Sequence, residues 1–395
     1  MQHWRSKVTP AEYQVIVIGA GPAGATTARY AALGGCRVCL IDRRADVGEF
    51  VRCGEGVGLK GMSISIGVKP QWIKSTIRQV KIVSSDGTTV TLRNVAESYV
   101  LDREIMDRAL VDDASLAGAS TVLSTSIISV RMTDDSRYEC VAADGRVFIG
   151  QCLVLADGVE SRLARQLGWK NALLPADIET CAFARVETKS IEDDTCYFYT
   201  GSNYAPGGYL WVFPRGAGFA NVGLGVLGSF HSAGKAHELL GRFIAEKFPG
   251  ATVTHRHCGG VPVGKWTNPL VKNGAIIVGD AARQVNCLNG GGLAYGIFAA
   301  KAAGTVIGEA FAGGTFNSGH LKKYQKIWAK KMGKQQLRSH TVKEILTQIR
   351  NDTFENKLAA MLSKKDPSKL GYLQVFLATA FKRPLLIPKI IKLFT

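Results

Sequence analysis

The 395-residue sequence has no uninterrupted apolar run of about 18 residues, the length needed to cross a bilayer as a helix. No apolar core of signal-peptide length precedes the first strand-like run, so a secretory leader is not expected. Paired metal-binding cysteines are lacking too. The nine cysteines (36, 39, 53, 140, 152, 181, 196, 258 and 287) are scattered and odd in number. Cys36 and Cys39 have CxxC spacing, but no second pair follows, as a zinc or iron–sulfur site would need. No metal is expected, and free thiols point to a reducing cytoplasm. Negative charge is scarce, with 32 acids against 49 lysines and arginines, a net charge of +17. The imbalance is concentrated: from His320 onward, 17 basic residues face only Glu344, Asp352, Glu355 and Asp366. Such a tail suits an anionic surface, and no nucleic-acid recognition motif accompanies it.

What is present begins with Tyr13-Gln14-Val15-Ile16-Val17-Ile18-Gly19-Ala20-Gly21-Pro22-Ala23-Gly24. A β-branched run leads into a glycine fingerprint, a small-residue helix follows, and a second strand from Arg37 to Ile41 ends on Asp42. This is the sequence form of a βαβ dinucleotide site. Gly19 allows the tight turn, Gly21 lets the backbone approach a pyrophosphate, and Gly24 lets the helix pack closely on the strand. The helix N-terminus offers N–H groups and positive partial charge to phosphates. Asp42 is placed to hold adenosine ribose hydroxyls. The same glycine spacing recurs at Gly56, Gly58, Gly61 and at Gly223, Gly225, Gly228, without the βαβ context, so no second nucleotide site is expected.

Residues 47–61 read as a long glycine-rich loop pressed against a ligand. Alternation predicts a hairpin over 80–92 turning at Asp86-Gly87, a helix from about Glu104 to Leu116, and strands over 122–130, 138–142 and 147–155. Strand-like alternation dominates from about Asp177 to Val263, interrupted by a helical insert over 235–248. Ala275–Asp280 reads as a buried parallel strand, and a helix rich in small residues follows from Leu293 to Phe311. The residues beyond His320 read as helical. Leu370–Phe381, flanked by basic residues, is long enough to lie in a membrane interface and too short to span it.

The order of these pieces, with Gly19–Gly24 first, Asp157-Gly158 in the middle and Gly279-Asp280 late, resembles the FAD-dependent oxidoreductases of the glutathione-reductase type, the group that includes aromatic hydroxylases. Phe50-Val51-Arg52-Cys53-Gly54-Glu55-Gly56, with Gly208-Tyr209-Leu210-Trp211-Val212-Phe213-Pro214, is similar to the geranylgeranyl reductase family, in its archaeal form acting on membrane lipids. The resemblance covers about residues 10 to 330. One departure is Cys287, which stands where the family usually has a proline after Gly-Asp-Ala-Ala. The resemblance implies FAD, a prenyl-lipid substrate, and an external electron donor such as NAD(P)H, ferredoxin or a reduced deazaflavin. The prenyl acceptor stays open among phospholipid, quinone, chlorophyll-type pigment and free diphosphate. An O₂-using aromatic hydroxylase and a non-catalytic prenyl-binding protein are the competing readings. The Trp-x-Trp-x-Ile-Pro signature of halogenases and the cysteine quartet of quinone-reducing relatives are both missing.

The expected architecture is α/β: a Rossmann-like FAD-binding domain (10–75, 99–170 and 265–315), a β-sheet-rich substrate domain (76–98 and 171–264) and a basic helical C-terminal region (316–395). The expected location is cytoplasmic and peripheral at a membrane. Expected cofactor contacts are Gly19, Gly21, Ala23, Gly24, Asp42, Arg43, Arg52, Cys53, Gly54, Arg103, Asp157, Gly279, Asp280, Gly291 and Gly292. Arg103 enters this set by the resemblance. Asp280 suits ribityl hydroxyls, and the helix opened by Gly290-Gly291-Gly292 suits the negative edge of a reduced flavin. Tyr209, Trp211 and Phe213, at i, i+2 and i+4, share one strand face and would form an aromatic wall for an isoprene chain. Cys53 is the expected proton donor or relay, with Tyr209 and Trp211 beside the reacting bond.

Overall fold

The computed structural model describes residues 10–49, 51–349 and 351–370. Phe50 of the cysteine motif and all of Leu370–Phe381 beyond its first residue lie outside them, as does the Pro-interrupted segment after it.

The first sheet has eight strands and is built on Ala11–Ile18. This strand lies between Val38–Ile41 and Val147–Leu155 and is parallel to both. Ser120–Val122 extends the sheet in parallel beyond Val38–Ile41. The other edge of Val147–Leu155 is shared: its first half pairs antiparallel with Tyr138–Ala142, and its last three residues pair parallel with Ala275–Ile277. Parallel strands covered on both faces carry continuous apolar runs rather than alternation. Val15, Ile16 and Val17 are accordingly fully buried, as are Leu153, Val154 and Leu155.

Two helices cross this sheet in backbone contact. A Cβ at Gly304 of helix Leu293–Phe311 would stand 2.6 Å from the Thr27 carbonyl oxygen of helix Pro22–Leu33, and 2.7 Å from Tyr30 Cβ. A Cβ at Gly308 would stand 2.9 Å from Gly34 Cα. Small residues at this seam therefore set the distance between the fingerprint helix and the helix that follows Gly279-Asp280.

The second sheet has seven strands, in the order Val253–Pro262, Ile178–Glu187, Phe219–Leu227, Tyr209–Gly216, Thr195–Tyr199, Gln79–Val83 and Thr89–Leu92. The predicted 80–92 hairpin thus joins strands from 178–262 in one sheet, with one parallel pairing, between Thr195–Tyr199 and Gln79–Val83. Both faces are apolar. Leu210 and Val212 point with Val222 and Leu224 toward helix Lys235–Lys247, which buries Leu239, Leu240, Phe243 and Ile244 against them. Trp211 and Phe213 join Phe183 and Cys196 in the cluster on the opposite face.

Some local readings are corrected. Residues 47–61 are not wholly irregular: Gly56–Gly58 is a strand, and Leu59–Ser63 a helical turn. That strand completes a three-stranded sheet with Ser98–Leu101 and Ile73–Ile77, a pairing that no local pattern announces. The single strand expected over 122–130 is two, Ser120–Val122 and Ile127–Met132, because Ser124 takes a positive φ and the chain leaves one pairing for another. Helix Arg103–Leu116 starts one residue earlier than expected, capped by Asp102, which accepts from Ile105 N–H.

The described part of the basic C-terminal region packs on the body. Leu321, Tyr324, Trp328 and Met332 enter the main core. Tyr324 accepts from the Gln284 amide and donates to the Ile277 carbonyl, and the Gln336 amide donates to the carbonyls of Arg283 and Gly264. Lys343 is buried and donates to the carbonyls of Ala176 and Val263, so this cation of the tail faces inward. No helix among the described residues is long and apolar enough to cross a membrane.

Gly304→Ala should lower the melting temperature. Its Cβ meets backbone and Cβ atoms that cannot swing aside, a strain of about 1–3 kcal/mol that exceeds the roughly 1 kcal/mol gained from alanine's helix propensity. Thermal unfolding followed by circular dichroism is the check, and an unchanged or raised melting temperature would contradict the seam.

Candidate active site

The fingerprint turn has the geometry its glycines require. Gly19 sits at φ +102°, and a Cβ there would lie 2.3 Å from the Ala156 carbonyl oxygen. A Cβ at Gly24 would lie 1.7 Å from the Gly19 carbonyl oxygen, so the helix rests on the strand backbone. Gly21 is the opposite case: a Cβ there would meet nothing within 4 Å, leaving an open side at an N-terminus that no side chain caps. That open cradle fits a pyrophosphate.

Asp42 lies where expected at the end of Val38–Ile41, and its carboxylate is already engaged. Ala20 N–H donates to Oδ2 at 2.6 Å, and the Arg44 guanidinium donates to both oxygens at 2.9 and 3.0 Å. Burial disfavours the Asp42 charge, yet Arg44 and the two backbone donors hold the carboxyl below its ordinary value. Arg44 is the arginine on Asp42, while the side chain of Arg43, expected at the cofactor, is exposed. Two adjacent arginines look alike in sequence, and only the turn after the strand tells them apart.

Gly279, at φ +67°, faces the fingerprint helix: a Cβ there would stand 2.8 Å from Ala23 Cβ. Asp280 follows on a tight turn near Gly292, whose Cβ would lie 3.2 Å from Asp280 Oδ1. Burial pushes the Asp280 carboxyl up to about 6 from 3.8, against the opposing pull of the Arg103 charge. Gly290 also has a positive φ, and the long helix beginning at Leu293 has no side-chain cap. Asp157 accepts from Leu163 N–H, while its Oδ1 is buried without a hydrogen-bond partner among the described residues. The open Gly21 cradle, two uncapped helix N-termini and two desolvated carboxyls fit an FAD laid from Asp42 toward Gly290–Gly292.

The cysteine loop lies against the aromatic face of the second sheet. A Cβ at Gly54 would stand 2.8 Å from Trp211 Nε1, and one at Gly56 2.9 Å from Phe213 Cε2. Trp211 is held on its other side by Gly223, where a Cβ would lie 2.4 Å from the indole. Its Nε1 is buried without a partner among the described residues. Tyr209, Trp211 and Phe213 do form one wall, with successive ring centroids 6.0 and 6.3 Å apart. Phe198, on the neighbouring strand and in register with Trp211, bridges Tyr209 and Phe213 at 5.4 and 5.3 Å. The sequence reading missed Phe198; alternation within Thr195–Tyr199 was the available signal. Tyr209 Oη donates to the Asn289 carbonyl at 2.7 Å, which ties the wall to the Gly290–Gly292 turn.

Cys53 is half-buried, and its Sγ accepts from Glu55 N–H at 3.2 Å. Burial raises the thiol above its ordinary value; the Arg103 charge and the Glu55 N–H oppose this without overcoming it. Arg103 is half-buried and makes a fork on Asp107 at 2.7 and 2.9 Å, which holds its own value high. Arg52 lies along Val253–Pro262, its Cδ 3.3 Å from where a Cβ at Gly259 would be. Cys287 does not point into an open site: it is buried, and its Sγ donates to the Gly264 carbonyl at 3.1 Å. Cys36 and Cys39 are buried structural thiols, raised by burial to about 11 and about 12.

Residues 177–261 match the geranylgeranyl reductase catalytic domain, and residues 12–217 match an FAD binding domain. The chain is 37% identical over 378 residues to the digeranylgeranylglycerophospholipid reductase of Methanothrix thermoacetophila, covering 92% of this chain and 95% of that one. Among solved structures, a geranylgeranyl bacteriochlorophyll reductase-like protein from Thermoplasma acidophilum aligns with a TM-score of 0.87 and 29% identity, over 97% of this chain and 99% of the other. The flavin-dependent halogenase CmlS shares the fold alone, with a TM-score of 0.67 at 17% identity, over 96% of this chain and 78% of the other.

The raised Asp280 carboxyl has a signed consequence for the FAD-free protein. Between about pH 4 and the folded value near 6 the native state binds more protons than the unfolded state, so stability falls as pH rises through that window. Asp280→Asn should remove that loss, worth on the order of 2 to 3 kcal/mol at pH 7, while weakening FAD binding. Thermal unfolding at pH 5 and pH 7, with flavin titration, checks both parts; identical pH dependence in the two proteins would contradict the assignment.

Proposed function

The chain belongs to the family of the digeranylgeranylglycerophospholipid reductases, and from that membership we propose that this FAD-dependent reductase saturates the carbon–carbon double bonds of geranylgeranyl chains on membrane ether lipids. The observation that carries the reading is the ring-lined wall of Tyr209, Trp211 and Phe213, packed against the Cys53 loop and tied to the Gly290–Gly292 turn. Such a wall suits an apolar chain with no polar group to grip.

FAD, when bound and reduced, supplies the hydride taken by one alkene carbon. Asp280 and the Gly290–Gly292 turn would hold its ribityl and ring edge, Gly19, Gly21 and Gly24 its pyrophosphate, and Asp42 its adenosine ribose. The other alkene carbon needs a proton, and no neighbouring carbonyl activates an isolated trisubstituted alkene. Cys53 meets this need: its raised value keeps the thiol protonated at neutral pH, so it serves as an acid and not as a standing thiolate. The S–H bond breaks as the C–H bond forms, Arg103 steadies the thiolate left behind, and water returns the proton. The wall orients the chain and excludes water from the reacting bond.

An external donor restores the reduced state. NAD(P)H, ferredoxin or a reduced deazaflavin would act by transient docking, since the sequence has no second nucleotide fingerprint. The exposed Lys326, Lys330, Lys331, Lys334 and Arg338 present cations toward an anionic membrane surface, each contributing roughly 1 kcal/mol near such a surface.

Cys53→Ala should keep FAD and lose lipid saturation by about 100-fold or more, the usual contribution of a placed general acid. Mass spectrometry of ether lipids from an anaerobic host making geranylgeranyl lipids reads the result. An FAD-loaded variant with full turnover would remove Cys53 from the mechanism, and NAD(P)H-dependent O₂ consumption by the purified parent protein with the double bonds left intact would replace the reductase reading with a hydroxylase. Pro367 and Leu370 accept from Arg93 and Asn94 N–H, so a tail deletion should begin after Leu370. Removing residues 371–395 should spare FAD and weaken sedimentation with anionic liposomes; unchanged sedimentation would refute membrane contact through that segment.

A further inference from the structure

Behind the cysteine loop lies a buried charge cluster with no counterpart in the reaction just described. Glu55 sits between Gly54 and Gly56 at φ +68°, in a left-handed conformation unusual for glutamate, and is 3% exposed. Every polar group it carries is engaged. Its main-chain N–H donates to Cys53 Sγ at 3.2 Å, and its carbonyl accepts from Leu101 N–H at 3.0 Å. Carboxylate Oε1 accepts from the Arg103 main-chain N–H at 3.2 Å. Oε2 accepts from Arg215 Nη1 and from Asn221 Nδ2, and that same amide nitrogen donates to the Gly54 carbonyl at 3.3 Å. Arg215 is also buried and reaches Asp102 at 3.4 Å, which Lys74 meets at 3.0 Å from the rim.

Arg215 and Asn221 flank the turn between Tyr209–Gly216 and Phe219–Leu227, the two strands that carry and back the aromatic wall. Arg103 opens the helix whose first turn faces the thiol. One carboxylate therefore joins three bodies: the thiol loop, the wall sheet and the helix of the flavin side. A left-handed glutamate is costly unless its surroundings over-determine it, and strain of this kind collects at functional sites. An ion pair this deep is a poor source of net stability, because desolvation offsets attraction. Its geometry specifies position instead.

We propose that Glu55 is the positioning residue of the site: clamped by Arg215 and Asn221, it holds the Cys53 thiol in register with the aromatic wall and the Arg103 helix. This deepens the reading of Cys53 as proton donor and rests on it for its catalytic meaning. The groups facing the thiol are Glu55 from its own loop, Arg103 and Asp107 from the helix, and Cys181 from strand Ile178–Glu187. Removing the Glu55 charge leaves Arg103 and Arg215 in place, so the thiol should ionise at lower pH.

The test uses the FAD-loaded full chain. Iodoacetamide alkylation is followed against pH, with peptide mass spectrometry separating Cys53 from the exposed Cys258. In Glu55→Gln the alkylation midpoint of Cys53 should move down by roughly one pH unit. Turnover should fall on the order of 10- to 100-fold, as for a misplaced acid, with KM for the lipid little changed. A folded Glu55→Gln with the parent alkylation profile and turnover would overturn the proposal. Should that variant fail to load FAD, Asn221→Ala decides. It leaves the ion pair but frees the Gly54 carbonyl, and should speed Cys53 alkylation and slow turnover several-fold; parent values for both would overturn the clamp. Alkylation reports position without reference to chemistry. An altered profile beside a fully active Cys53→Ala would keep the clamp and discard the proton-donor role.

Discussion

Backbone pressed on backbone is the constraint from which the rest of the structure follows. Gly24 seats the fingerprint helix on the Gly19 carbonyl, and Gly304 and Gly308 bring the late helix onto the same helix from its other side. Any side chain at these points would meet backbone that cannot swing aside and would force packed elements apart. Because they are bare, Gly19–Gly24 and Gly279-Asp280, separated by some 250 residues of chain, meet beyond the C-terminal ends of parallel strands of one sheet. A long cofactor can then be held from adenosine to ring by residues that are remote in sequence.

The second sheet answers a different demand. Both of its faces are apolar, so both must be covered. Helix Lys235–Lys247 covers one, and the Cys53–Gly56 loop, glycine at every second position, covers part of the other. Glycine at 54 and 56 lets the loop backbone touch Trp211 and Phe213, leaving Cys53 and Glu55 as the residues with chemistry. Their environments diverge. Cys53 is kept protonated by burial, while Glu55 is satisfied by an arginine, an asparagine and a backbone amide. The thiol proposed as the acid and the carboxylate proposed to hold it in place are two residues apart.

The basic C-terminal region shows how far charge counting carries. Its excess of lysines is real, yet Tyr324, Trp328 and Met332 from the same stretch complete the main core. Lys343 caps backbone carbonyls inside the protein, and burial pulls its ammonium below the ordinary value. The segment is structural on its inner face and cationic on its outer one, the usual division of an amphipathic helix. The charge it offers to solvent is therefore that of the exposed subset, not the full count.

Legible in the sequence were the features that rest on local geometry. A β-branched run, three glycines and a terminal acid can do little else than form a dinucleotide turn. Residues at i, i+2 and i+4 of a strand must share a face, and Leu293–Phe311 announced itself by composition. The family motifs reached further, to FAD and to prenyl chains. What tertiary structure decided were the partnerships between residues far apart in the chain. Arg44 rather than Arg43 holds Asp42, Phe198 completes the wall, and Glu55 meets Arg215 across 160 positions of sequence. Alternation places Phe198 on a strand face without saying which rings it meets, and no periodicity encodes the two ion pairs. They exist because folding brings charges and rings together at low dielectric, where a single hydrogen bond or clash chooses among otherwise equivalent residues.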